Sequence, residues 1–262
     1  MKNILLLLLI SPLLFSLEFY MTSWNIRNIS MNKIQDRDLN TLRRFYGERR
    51  DYDVHIIQEL RDKYVINMLS VDYRAVTSKK AKGRGNHKEF YGFLVNKKFK
   101  DVKLFDSRAY RKFQRPPSVI ILDKKIAVIN VHIFHGGDNS KNSLGKRMQE
   151  VKALKDIRKQ IHNKYKIPYK NIIIAGDFNL ESRQIGVSLK DKSKVWINKP
   201  TTIGRSNRYG NSYDHFITHR EIEGKTRVVK EIIKNRKSKY FIKKVSDHLP
   251  IEGKFSLIEL KK

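Results

Sequence analysis

Asn171 to Leu180 reads NIIIAGDFNL, and the fold turns on how these residues are taken. Three isoleucines followed by an alanine give no apolar-polar alternation, so the stretch predicts a short strand buried on both faces. The strand ends in chemistry. Gly176 permits a sharp backbone exit, and Asp177 and Asn179 follow two apart, a spacing that lets both side chains face one pocket at the strand's carboxyl end. The same four letters also suit an Asx-type turn with no further role. What tips the balance is recurrence, because several other apolar runs in the chain end in a polar group of a catalytic type.

Working outward, Leu17 to Ile26 is rich in β formers and runs into Asn25 and Arg27. DVHIIQEL is a strand whose last polar residue is Glu59. Ile126 to Ile133, IAVINVHI, predicts a central strand with His132 near its end, and SYDHFITHR a strand that begins at Asp214. Further strands are expected at Asp72 to Thr77, Phe90 to Val95, Ser118 to Leu122, KYFIKKV and IEGKFSL. Leu39, Leu42 and Phe45 recur at helical spacing, as do Leu144, Met148, Val151, Leu154 and Ile161 on a longer helix. Residues 181–212 predict a long polar loop anchored by Trp196.

With 262 residues and no evident linker, the chain predicts one domain over 17–262. Residues 1–16, MKNILLLLLISPLLFS, have the layout of a secretory signal peptide, with cleavage near Ser16. An uncleaved anchor and a buried first strand are the other readings. A secreted or periplasmic protein is expected. There is no cysteine, which excludes disulfides, thiolate metal sites and cysteine nucleophiles.

Lysine and arginine number 56 against 26 acidic residues, a formal charge of +30. Such a surface attracts polyanions, whether nucleic acid, anionic lipid or acidic glycan. The basic side chains cluster in Lys79 to Lys88, KKAKGRGNHK, expected to be a mobile loop, and in YRKFQRPP at 110–117. Thr201, Thr202, Arg205, Ser206, Asn207, Arg208, Asn211 and Ser212 supply donors suited to phosphate oxygens.

Read together, WNIRN, IIQEL, NVHI, AGDFN, SYDHFI and SDHLP, in this order, resemble the endonuclease/exonuclease/phosphatase superfamily, and within it the deoxyribonuclease I-like nucleases. The likeness runs from Trp24 to Pro250. It implies an α+β fold, a four-layer αββα sandwich with the site at one rim. It also implies that Asn25, Glu59 and Asp247 hold a divalent metal, Mg²⁺ with Mn²⁺ or Ca²⁺ as alternatives, since a hard cation prefers oxygen ligands. Asp177 and Asn179 would orient phosphate and water, with His248 activating the water and His132 protonating the leaving oxygen. Asp214 would support His248 and Glu89 would support His132. Arg27 and Arg115 would grip the backbone, with Thr201, Thr202 and Asn211 as further substrate contacts.

The activity implied is a metal-dependent, sequence-tolerant DNA endonuclease, with RNA as a second substrate, leaving 5′-phosphate and 3′-hydroxyl ends and working as a monomer. Two other readings remain. One is a sphingomyelinase-like or inositol-phosphate phosphoesterase on the same fold; the other is a polyanion-binding or toxin-complex subunit. The chain departs from deoxyribonuclease I in lacking disulfides, and FHGGDN after His132, which includes His135, is closer to bacterial members of the superfamily.

Overall fold

A computed structural model describes residues 16–83, 85, 88–105, 107–136, 140–204, 206, 208–233 and 238–259. The expected signal peptide lies outside these residues except for Ser16, as do Arg84, His87, Gly137, Arg205 and Asn207 of the basic and polar loops. None of the described helices is long and apolar enough to cross a membrane.

The strands form two six-stranded sheets. In sheet one the order is β11 (Gly224–Val228), β12 (Ile251–Ile258), β1 (Ser16–Ile29), β2 (Val54–Leu60), β4 (Phe90–Asn96) and β3 (Tyr73–Thr77). In sheet two it is β5 (Val102–Phe105), β6 (Ser118–Leu122), β7 (Ile126–His132), β8 (Ile172–Asp177), β10 (Asp214–His219) and β9 (Ser193–Val195). Each sheet has one parallel pair at its centre, β1 with β2 and β7 with β8, and antiparallel neighbours elsewhere.

Strands buried on both faces need a cover on each side, and the packing supplies it. Ile120, Leu122, Ile126, Val128, Ile173 and Ala175 point into the core shared with sheet one. Their neighbours Val119, Ile121, Ala127, Ile129, Ile172 and Ile174 point the other way, onto α3 (Lys141–Tyr165) and α4 (Ser182–Leu189). The period of two puts alternate residues of one strand into different cores. On the far side of sheet one lie α1 (Leu39–Gly47), α2 (Val65–Leu69) and α5 (Ser238–Lys244), with the Trp24 ring 4.9 Å from Phe45 and stacked near Phe241. The result is the expected αββα sandwich, an α+β fold.

Between the sheets the core is not wholly apolar. Gln58 Nε2 donates to Asn130 Oδ1 at 2.7 Å, and Asn130 Nδ2 donates to the carbonyls of Ile57 and Gly92. A buried amide that meets its partners only in one register ties β7 to β2 and β4 and fixes how the sheets sit on each other.

Three expectations are corrected. KYFIKKV forms α5 rather than a strand, because Phe241 and Val245, four residues apart, both bury while the lysines stay outside. Residues 181–212 are not all loop, since they contain α4 and β9, and α4 opens with a capping box in which Glu181 and Gln184 satisfy each other's backbone. The strands β5 and β11 were not foreseen. Both are at sheet edges, where exposed lysine and arginine side chains hide the apolar pattern and also discourage edge pairing.

Candidate active site

The two parallel pairs end at the same rim. His132 closes β7 directly opposite Asp177, which closes β8, and Asp214 opens β10 opposite Asp177 on the other side. From sheet one, Asn25 of β1 pairs with Gln58, so Glu59 follows one residue later at the end of β2. The ladder breaks here, between Asn25 and Ile29, and the backbone turns left-handed at Arg27, Asn28 and Glu59, with φ of 49°, 47° and 64°. Asn179 does the same at 48°. Non-glycine residues in this region are uncommon and carry strain, and this rim concentrates four of them. Gly176 is required: at its φ of 142° an added Cβ would stand 1.9 Å from the Val131 carbonyl oxygen. That close approach of β8 to β7 brings Asp177 beside His132.

The side chains meet around Asp177, which is buried. His132 Nε2 lies 3.4 Å from Asp177 Oδ2, and His248 Nε2 lies 3.7 Å from the same oxygen. Asn25 Nδ2 donates to Asp177 Oδ2 at 3.0 Å and to Glu59 Oε1 at 2.9 Å. Glu59 Oε1 is in turn 3.9 Å from His132 Nε2. Each imidazole is backed by a carboxylate at Nδ1, Glu89 at 2.9 Å for His132 and Asp214 at 2.8 Å for His248. Such a partner fixes the tautomer and raises the basicity of the ring.

Charge follows from these contacts. Burial works against a proton on His248, but Asp214 and Asp177 outweigh it and hold the imidazole well above its ordinary value. His132 is also raised. Burial opposes the rise there too and Glu89 drives it, with Arg115 pulling back. Burial pushes the Asp177 carboxyl up, yet His248 and His132, with the Asn179 amide and Asn25, bring it below the usual carboxylate range. Asp214 is held above that range, chiefly by burial.

The other expected site residues are less uniform. Asn179 donates its backbone amide to Asp177 Oδ1 at 2.9 Å, while its side-chain amide donates to the Ile133 carbonyl. Asp247 pairs with Arg27 at 3.6 Å, at the partly exposed edge of the site, and Arg27 also donates to the Ile242 carbonyl. Asn211 and Thr202 hold each other through Oγ1 and the Asn211 backbone, and Thr202 forms a bridge to His248.

Arg115 and Thr201 are corrected in position. Arg115 is buried, 3.4 Å from Glu89 and from the His132 carbonyl, because a carboxylate sunk as deep as Glu89 requires a countercharge. Thr201 is fully buried, and its hydroxyl accepts from the backbone amides of Tyr213 and Asp214. Neither presents itself as an outward grip on substrate. His135 sits in the loop beyond, its ring 6.4 Å from that of Tyr213.

Several supporting residues were not foreseen. The Ser246 hydroxyl donates to the Asn25 carbonyl at 2.6 Å and accepts from the His248 amide at 3.0 Å, tying the segment that carries His248 to the end of β1. Trp24 Nε1 donates to the His248 carbonyl, and the Tyr91 hydroxyl accepts from the His132 amide. The guanidinium of Arg37 donates to the carbonyls of Ile26, Arg27, Lys244 and Val245, bracing the strained turn against α5. The serine in SDHLP was a visible signal; nothing local marks the others.

Glu59 Oε1 and Asp177 Oδ2 converge on one point, filled here by the positive end of the Asn25 amide, and a pair of carboxylate oxygens around one positive group suits a hard divalent cation in its place. Asp177, Asp214 and His248 also offer ligand atoms within 4.8 Å of one another. There, however, His248 Nδ1 is already engaged with Asp214, which fits proton handling better than ligation.

No family model matches the sequence, and no curated protein does. Solved structures do match in shape. An endonuclease/exonuclease/phosphatase family protein from Bacteroides thetaiotaomicron aligns over 94% of this chain and 99% of its own, at 14% identity and a TM-score of 0.64. TDP2 of D. rerio, in complex with a single-strand DNA product, covers 91% of this chain and 98% of its own, at 18% identity and 0.61. A B. thetaiotaomicron mannosyl-6-phosphatase aligns over 90% and 99%, at 14% identity and 0.59. The chain therefore has the deoxyribonuclease I-like fold of the endonuclease/exonuclease/phosphatase proteins.

Proposed function

We propose that the protein is a divalent-metal-dependent phosphodiesterase that cleaves nucleic acid, acting on DNA as an endonuclease with little sequence preference. The observation that carries this reading is the convergence of two carboxylate-backed histidines on Asp177, beside Glu59 and Asn25. A phosphodiester resists attack because it is anionic, and this corner gathers the groups that answer that resistance.

Glu59, with Asn25 and Asp177 beside it and Asp247 at the edge, would hold the ion, whose Lewis acidity neutralises charge on the phosphate and is worth several kcal/mol. The protein's own groups divide the proton work. As the family resemblance implies, His248, held by Asp214, would activate the water, and His132, held by Glu89, would protonate the leaving oxygen. Each group contributes about 10²- to 10⁴-fold. Asp177 orients both rings from between them.

The surface supports a polyanionic substrate. The Lys82 backbone bridges to Glu89, the partner of His132, and its ammonium lies over Tyr110. Thr202 bridges to His248, and Lys230 lies over the nearby Tyr209. Basic groups thus flank the rim on both sides, where contacts to phosphates carry no sequence information. Product ends of 5′-phosphate and 3′-hydroxyl, and export directed by residues 1–16, complete the proposal.

The test is supercoiled plasmid incubated with pure protein, with and without Mg²⁺ or Mn²⁺, alongside His132→Ala and His248→Ala. Metal-dependent nicking that both variants lose is expected. DNA binding without cleavage, or hydrolysis confined to a lipid or a sugar phosphate, overturns the assignment.

A further inference from the structure

A cavity of about 440 Å³ opens on the outer helical face of sheet two, lined by Lys155, Arg158 and Lys159 of α3, by Asp191 and Lys192 before β9, and by His219 at the end of β10. It is remote from the candidate active site. β10 runs from Asp214 to His219 at about 3.3 Å per residue, so the two sites lie roughly 17 Å apart at opposite ends of one strand.

Arg158 forms part of its floor and is only 4% exposed. One guanidinium nitrogen donates to Ser193 Oγ at 2.7 Å and lies 3.5 Å from Asp191, whose side chain is partly in solvent, and Nε has no acceptor. The guanidinium also lies over the Tyr169 ring at 5.6 Å, and since arginine cannot shed its proton, the partly solvated Asp191 is the one carboxylate beside this buried cation among the described residues. The second acid lining the cavity, Asp156, is taken up by Lys112 at 2.7 Å. Lys155, Lys159 and Lys192 form no salt bridge among the described residues, and the carboxylate that feels Lys192 from a distance, Glu221, is already paired with Lys170. The remaining wall is Tyr169, its ring stacked against His162 at 4.6 Å. The volume lies within the usual range of small-molecule sites, about 300–1,000 Å³, and a bare phosphate would leave much of it unfilled.

We propose that this cavity binds a phosphomonoester of nucleotide size, with its phosphate held by Arg158, Lys159 and Lys192 and its organic part lying along Tyr169. The site is a binding site and is independent of the hydrolytic reading. The test is calorimetric titration of the full chain, without divalent metal, using dAMP, inorganic phosphate and deoxyadenosine as probes. Lys159 and Lys192 are exposed, so a Lys159→Glu, Lys192→Glu double variant leaves the core untouched.

Expected are dAMP binding weakened tenfold or more in the double variant and retained in His132→Ala, inorganic phosphate binding more weakly than dAMP, and no binding of deoxyadenosine. Wild-type affinity in the double variant overturns the proposal. So does loss of binding in His132→Ala, which would transfer the ligand to the candidate active site, and so does absence of dAMP binding at millimolar concentration. Inorganic phosphate binding as tightly as dAMP overturns the nucleotide-sized occupant.

Discussion

The two histidines of the candidate active site occupy nearly matching positions but have different backing. Behind His132, the fully buried Glu89 is shared between the imidazole and the guanidinium of Arg115. Behind His248, the equally buried Asp214 takes the imidazole on Oδ2, and its other carboxylate oxygen has no hydrogen-bond partner. The charge of Glu89 is therefore divided and that of Asp214 is not, which is why His248 is lifted further than His132. One pair is built for permanence, since its second cation can never be discharged. The other carries its charge balance on a proton that can leave.

The largest effects should come from removing the rings. His132→Ala and His248→Ala are each expected to lower kcat/KM for plasmid nicking by about 10²- to 10⁴-fold. If either variant keeps more than a tenth of the activity, the two positions are not functionally matched.

Next comes a contrast between the partners. Glu89→Gln leaves Arg115 buried beside an uncharged side chain and should cost about 3–5 kcal/mol of stability, read as a fall in denaturation midpoint. Asp214→Asn leaves no such stranded cation, because His248 can deprotonate; its stability loss should be smaller. Its signature is instead a shift to lower pH of whichever limb of the pH-rate profile His248 sets. Equal destabilisation by the two substitutions would erase the distinction.

Behind Arg115 lies Glu150 of α3, whose carboxyl burial pushes up to about 7. A raised carboxyl means that the folded state holds a proton the unfolded chain releases, so stability is full below about pH 4.5 and declines as pH rises toward about 7. The loss amounts to about 3 kcal/mol at most. Glu150→Gln should flatten this dependence and raise the midpoint at pH 8; an unchanged profile would remove Glu150 from the permanent side of the comparison.

The smallest effect is at the rim. Lys82→Ala and Lys230→Ala should each weaken DNA binding only a few-fold, uniformly across sequences, and reduce the slope of log K against log salt by about 1. A larger effect on one side would show that the substrate leans toward one histidine.

Much of this was legible in the sequence because the fold places its chemistry where strands stop. Asn25, Glu59, His132 and Asp177 each stand near the end of a strand-forming stretch, and strand ends are where a sheet can offer groups to solvent without unpairing its ladder. What was hidden is depth. Nothing in QRPP tells a buried Arg115 from an exposed one, and Thr201 looks like any loop hydroxyl until Asp214 is seen behind it. α5 was misread for another reason: with seven residues it is too short to display a helical period, and its aromatic and branched side chains imitate a strand. The helix α4 did announce itself, through Glu181 and Gln184 three apart, a signal easily lost in a polar stretch.

The convergence of Glu59, His132, Asp177 and His248 is measured most directly by a crystal structure with Mn²⁺ and a phosphorothioate oligonucleotide, with the metal located by anomalous scattering. The metal peak is expected at Glu59 Oε1, with the scissile phosphorus between the Nε2 atoms of His132 and His248. A metal or phosphate bound elsewhere, with these two rings facing only solvent, would contradict it.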